Sequence, residues 1–212
     1  MIILDGMPGV GKTTLLHRLQ AALPHHLLVF PEAQPPENGS SDAETARFLL
    51  DEARDRVDTA EHLSRSRPDL LVASDRCHIG VLAYRYALAA AGRAPYSDFE
   101  QALALCHDLD LTGPHPDLTT LVLLTDPGTS ISRRSAHAHD ERHTLWFDLD
   151  FLTAYRHFLD DLPVWLPVST FTTLDVTDTS GWPTLLDALP PDLVRRLPPQ
   201  EALMGGRSSE AV

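Results

Sequence analysis

The chain has 212 residues, 30 acidic side chains against 17 basic ones, and a formal net charge of −13. With 43% hydrophobic and 22% charged residues it has globular rather than disordered composition, and it is long enough to bury a real core. The acidic balance argues against a nucleic-acid backbone or an anionic membrane surface as main partner, since both need a basic patch, and favours a neutral or cationic small molecule.

Met1 to Asp5 is the first predicted strand; it carries no basic n-region and runs straight into a glycine-rich loop, so it is not read as a signal peptide. Further short apolar, β-branched runs fall at Leu27 to Phe30, Leu70 to Ser74, Thr119 to Thr125 and Thr172 to Val176. Between them lie helical stretches near Thr13 to Ala22, Ala43 to Leu63, Ile79 to Ala91, Asp98 to Leu109, Thr129 to Arg134, Asp148 to Leu159 and Trp182 to Leu189. Pro24 closes the first helix, Ser41 or Asp42 caps the second, and Asp126-Pro127 reads as an N-cap followed by proline at the first helical position. Alternation of strand and helix predicts a three-layer α/β fold: a five-stranded parallel sheet with helices on both faces. Residues 1–197 are expected to form one domain with a lid at about 134–146, and 198–212, rich in glycine and serine, a flexible tail. Cys77 and Cys106 match no zinc or disulfide pattern, and no apolar run reaches the roughly 18 residues of a membrane span. A cytoplasmic protein with reduced thiols is the expectation.

Gly6-Met7-Pro8-Gly9-Val10-Gly11-Lys12-Thr13-Thr14 fits G-x-x-x-x-G-K-[ST], directly after a strand and opening a helix, which is the context that gives this motif its meaning. The glycines let backbone N–H groups curl around a phosphate, and the helix N-terminus adds a favourable dipole. Gly9, Val10, Gly11, Lys12, Thr13 and Thr14 are the expected nucleotide-binding residues, with Lys12 bridging β- and γ-phosphates and the Thr13 hydroxyl on Mg²⁺. Lys12 is the only lysine; the other 16 basic residues are arginine. A compact ammonium suits this loop where a planar guanidinium would be too large. The lone lysine also excludes guanine recognition through an Asn-Lys-x-Asp motif, hence a Ras-type or translation-type GTPase. A motor or AAA-type ATPase would end its third strand in Asp-Glu to hold Mg²⁺ and polarise water. Here the strand ends in Asp75-Arg76, which points to transfer onto a bound acceptor.

At this point the sequence resembles the thymidylate kinase and deoxynucleoside kinase group of P-loop kinases. The resemblance rests on Asp75-Arg76-Cys77-His78-Ile79-Gly80-Val81-Leu82-Ala83-Tyr84, similar to the group's Asp-Arg segment and following helix, and on Pro116 to Pro127, similar to its fourth strand and the turn into the lid helix. It implies ATP and Mg²⁺ as cofactors, and a lid whose arginines close over the moving phosphate, with Arg134 and Arg142 favoured over Arg133. Arg76 then joins Arg134 and Arg142 in neutralising the transition state, and Asp75 orients the acceptor or the metal's water shell. Cations on a closing loop suit phosphoryl transfer, which is mostly positioning and charge neutralisation. His137, His139 and His143 read as surface histidines rather than zinc ligands.

Glu32 follows the second strand, where deoxynucleoside kinases and some antibiotic-phosphorylating P-loop kinases place the base that accepts a hydroxyl proton. Thymidylate kinases have an Arg-x-Pro-Gly-like stretch here for an acceptor phosphate, whereas Pro31-Glu32-Ala33-Gln34-Pro35-Pro36 has no arginine. The helix from Asp42 to Glu61 holds seven acids and three arginines, of which one or two acids are candidates for the acceptor pocket, as are Asp108 and Asp110. The reading is an ATP- and Mg²⁺-dependent kinase acting on a hydroxyl of a nucleoside or an aminoglycoside-like metabolite. A nucleoside monophosphate kinase and a non-catalytic nucleotide-binding regulator remain the alternatives, and a homodimer stays open.

Overall fold

In the computed structural model, residues 1–35, 41–115, 117–135, 141–167, 169, 171–177, 189 and 191–195 are described. Five parallel strands, β1 (Ile2–Gly6), β2 (Leu27–Phe30), β3 (Leu71–Asp75), β4 (Thr119–Leu124) and β5 (Phe171–Asp175), lie in the order β2-β3-β1-β4-β5. Each predicted strand is present, displaced by a residue at most at either end. Gly6 extends β1 because it stays in register with Leu123 of β4, and Asp75 extends β3 because it pairs with Leu4.

Helices α1 (Lys12–Ala22), α2 (Asp42–Ser66), α3 (His78–Ala90), α4 (Tyr96–Asp108), α5 (Pro127–Arg133), α6 (Leu149–Asp160), α7 (Leu162–Trp165) and α8 (Pro191–Val194) accompany them. A 3-10 helix spans Glu141–Phe147. Sequence periodicity misses that element and the four-residue α7 and α8, which are too short to show a helical repeat. The expected helix at Trp182 to Leu189 lies outside the described residues apart from Leu189, as does the expected tail.

The strands sit between two apolar layers, and β4 shows why. Leu121 and Leu123 face a cluster with Leu15, Leu16 and Leu19 of α1, while Val122 and Leu124 face one with α2, α3, α4 and α6. A strand buried on both faces needs apolar residues at consecutive positions, so β4 reads as a continuous run rather than an alternation. The larger layer is aromatic. Phe99 and Phe158 pack edge-to-face at 5.8 Å, and Tyr86 and Trp165 complete the group. Each fully buried phenylalanine contributes about 2–3 kcal/mol. Predicted caps hold: Ser41 forms a capping box with Glu44, and Asp126 accepts from the Thr129 N–H at 3.0 Å ahead of Pro127. No helix among the described residues is long and apolar enough to cross a membrane.

The topology places the chemistry. From β1 the chain passes to one side of the sheet, and from β3 it crosses β1 to reach β4. Ligands of open parallel sheets bind at the carboxyl edge where such a reversal occurs. The loops after β1, β2 and β3 all open there.

Candidate active site

The loop between β1 and α1 is shaped by two glycine requirements. A Cβ on Gly6 would lie 2.0 Å from the Leu123 carbonyl oxygen, so no other residue fits against β4. Gly11 caps α1 at φ +90° with no side-chain cap, leaving the first N–H groups of α1 facing the loop. Lys12, buried, donates to the carbonyls of Met7 (2.7 Å) and Gly6 (3.2 Å). Burial, with repulsion from Arg76, pushes its pKa down to about 7 against the pull of Asp5, Asp75 and Glu32. Ser130 of α5 braces the loop by donating to the Pro8 carbonyl at 2.8 Å.

Thr13, the first threonine of the motif, donates its hydroxyl to Asp75 Oδ2 at 2.5 Å, joining the first turn of α1 to the end of β3. Asp75 is 2% exposed and its Oδ1 has no hydrogen-bond partner. An unmatched carboxylate oxygen beside a hydroxyl is a hard, all-oxygen donor set that fits Mg²⁺. Among the described residues no group of three or more His, Cys, Asp or Glu forms a cage, so a metal here would complete its shell from phosphate and water.

Arg76 adopts φ +67°, an uncommon backbone state for a residue with a side chain. Three contacts hold it: its N–H donates to the Leu4 carbonyl (2.8 Å), its carbonyl accepts from Ser74 Oγ (2.9 Å), and Ser74 Oγ accepts from Arg56 (3.2 Å). The resulting turn sends the Arg76 guanidinium toward Glu32, with Nε 2.6 Å from Oε1, although the N–H is not aligned as a hydrogen bond. Burial works against the Arg76 charge, but Glu32, together with Asp5 and Asp75, holds its pKa above the ordinary value.

Arg134 packs on the phosphate loop: its Cγ lies 3.2 Å from where a Cβ on Gly9 would be. Its Nε is buried without a hydrogen-bond partner, and burial, with repulsion from Arg76, lowers its pKa. Arg133 points elsewhere, donating to the carbonyls of Val176 (3.1 Å) and Thr177 (2.8 Å). The Arg142 and His143 side chains, and His137 and His139 altogether, lie outside the described residues. Lys12, Thr13, Glu32, Asp75, Arg76 and Arg134 thus converge on one edge of the sheet.

Beside them opens a cavity of about 340 Å³ between α2 and α3, reaching from Glu32, Asp75 and Arg76 to Tyr84, Arg85 and Trp146. Ala46, Leu49, Ala53 and Val81 give it apolar walls. Of the acids of α2, Asp42 and Glu52 line it; Asp108 and Asp110 do not, Asp110 instead lying 3.9 Å from Arg54.

Three residues of this region escape a sequence reading. Asp5, fully buried at the end of β1, accepts from the N–H groups of Gly6 (2.7 Å), Cys77 (2.9 Å) and Gly80 (2.9 Å), and from the Cys77 thiol at 3.1 Å. It therefore does the work of the N-cap that Cys77 does not supply. Burial and Asp5 push the Cys77 pKa well up, so the thiol stays a donor. An acid inside an apolar strand is the signal for Asp5. Arg85 is 3% exposed; it donates to Asp98 at 3.3 Å, lies 3.7 Å from Asp42, and leaves Nε and Nη1 without hydrogen bonds. Trp146 sits in an unpredicted element. Neither Arg85 nor Trp146 has a local sequence signature.

No protein-family model matches this sequence, and no curated protein matches it. Solved structures do. The deoxyadenosine kinase of M. mycoides with bound dATP is similar over 88% of this chain and 96% of that one, at 14% identity and a TM-score of 0.53. With the products dCMP and a flexible dCDP the same kinase matches with a TM-score of 0.55, 14% identity and the same coverage. With dCTP it matches at 12% identity and 0.52, covering 88% and 97%. The chain has the three-layer P-loop fold of these deoxynucleoside kinases.

Proposed function

We propose that this protein is an ATP- and Mg²⁺-dependent kinase that moves the γ-phosphoryl group onto a hydroxyl of a small acceptor, with a nucleoside as the favoured acceptor. The observation that carries this reading is the pairing of Glu32 with Arg76 in the wall of the cavity beside the phosphate loop. Lys12 and the N–H groups of residues 9–14 would hold the β- and γ-phosphates, and Thr13 and Asp75 would hold the metal. Mg²⁺ held by Thr13 and Asp75 would supply neutralisation of the phosphate charge. Glu32 takes the proton as the acceptor oxygen bonds to phosphorus, the bond to the β-phosphate oxygen breaks, and ADP leaves. Arg76 and Arg134 neutralise the three equatorial oxygens, and the 134–146 segment acts as the lid that excludes water.

The far end of the cavity supports a nucleoside over an aminoglycoside. Arg85 lies nine residues beyond Arg76, about 12–14 Å along the chain of α3; its charge is met by Asp98 and Asp42, and its Nε, without a hydrogen-bond partner, can donate to a carbonyl oxygen or ring nitrogen. A nucleobase supplies both, and its faces suit the apolar walls of Ala46, Leu49, Ala53 and Val81. Glu32→Gln tests the base directly. Turnover with the fastest acceptor should fall by about 10² or more while ATP binding is spared. Unchanged turnover would remove Glu32 from the mechanism.

A further inference from the structure

Two guanidiniums share one aromatic ring. Arg76 lies 5.9 Å and Arg134 6.0 Å from the ring centre of Trp146. Arg76 comes from the turn after β3 and Arg134 from the end of α5, so elements distant in sequence deliver like charges to one place. Burial and then repulsion from Arg76 lower the Arg134 pKa, while Glu32 pulls both guanidiniums toward the charged state. Glu32, 2.6 Å from Arg76, offsets part of that repulsion, and the indole is the group in contact with both guanidiniums; its faces attract cations more strongly than any other side-chain ring.

The indole is itself held. Its ring centre is 5.7 Å from Tyr84, 5.5 Å from Phe151 and 5.9 Å from Tyr155, with the latter two contacts edge-to-face. Phe151 and Tyr155 are fully buried on α6, and Tyr84 lines the cavity beside Trp146. The platform is therefore anchored in the core on one side and open to the acceptor space on the other. It belongs to the 3-10 helix Glu141–Phe147, so one ring from that element meets cations delivered by the turn after β3 and by the end of α5.

We propose that Trp146 is the positioning residue of this site: it holds Arg76 and Arg134 converged on the γ-phosphate position before substrates arrive and couples them to the acceptor cavity. Trp146 touches no reacting atom in this account and acts only through the two arginines. The inference rests on the kinase reading above, and equilibrium nucleotide binding separates the two because it needs no acceptor.

Binding of ATP and ADP by calorimetry on wild type, Trp146→Leu and Trp146→Phe is the test. Lys12 and the loop amides serve both nucleotides, whereas the arginines face only the third phosphate. Trp146→Leu should weaken ATP roughly tenfold and ADP less than twofold, and Trp146→Phe, which keeps a ring, should return ATP to within about threefold of wild type. Equal loss for ATP and ADP, or no loss, overturns the proposal. Wild type that binds neither nucleotide overturns the kinase reading itself. If Trp146→Leu does not fold, emission of the single remaining indole in a Trp165→Phe/Trp182→Phe background decides. ATP should shift it and ADP should not, and identical responses to the two count against the platform.

Discussion

His78 shows how much of this protein's behaviour is decided one side chain at a time. It opens α3, is 7% exposed, and its Nε2 has no hydrogen-bond partner. Burial pushes its pKa down to about 4, with Asp5 pulling upward and His115 adding to the fall. The unfolded chain takes up a proton on this histidine near pH 6.5, while the folded one resists until about pH 4. Stability is therefore complete above pH 6.5 and lost progressively between 6.5 and 4, because the unfolded state binds more protons in that window. Denaturant unfolding of wild type should lose about 2 kcal/mol more than that of His78→Gln between pH 7 and pH 5. Equal losses would show that His78 is hydrated rather than buried. Lys12 illustrates the opposite relation to sequence: as the only lysine, within its motif, it was identifiable without coordinates. His78, Arg85 and Trp146 were not, because their importance comes from what surrounds them and not from their neighbours in the chain.

Among the elements, α3 is the one whose position matters most, since it carries Tyr84 and Arg85 along the cavity and begins immediately after Asp75-Arg76-Cys77. Its N-terminus is anchored by a carboxylate from β1, 72 residues upstream of Cys77. Removing that group leaves the N–H groups of Cys77 and Gly80 without a partner in a buried setting. Asp5→Ala should cost about 3 kcal/mol in denaturant unfolding, and Asp5→Asn, which keeps one accepting oxygen, less. A cost under about 1 kcal/mol for Asp5→Ala would mean that α3 is secured by packing alone. Strands and most helices were legible because apolar runs and helical periodicity report local burial directly, and capping residues such as Ser41 and Asp126 mark starts. Ends were less legible. Helix α2 continues to Ser66, three residues past the last apolar position of its pattern, because backbone bonding proceeds until Arg67 leaves the helical region. The 3-10 helix at Glu141–Phe147 sits within a stretch whose polar composition reads as loop, and its Leu145 and Trp146, packed against the core, matter only once α6 is in place.

Across the whole molecule, a net charge of −13 coexists with a site that mixes both signs: Lys12, Arg76 and Arg134 gather beside the phosphate loop with Glu32 and Asp75, and Arg85 is met by Asp42 and Asp98 at the far end of the cavity. Overall charge therefore says little about the acceptor. Sheet order joins these residues, since the parallel pairing β2-β3-β1 brings Glu32, Asp75 and the phosphate loop to one edge. The central claim is transfer to a hydroxyl, and the most direct measurement is ADP release with ATP and Mg²⁺ across deoxynucleosides, their monophosphates and aminoglycosides, with the product identified by phosphorus resonance. A deoxynucleoside should stimulate release and yield its phosphomonoester. Stimulation by monophosphates alone, or by no acceptor at all, would contradict the account.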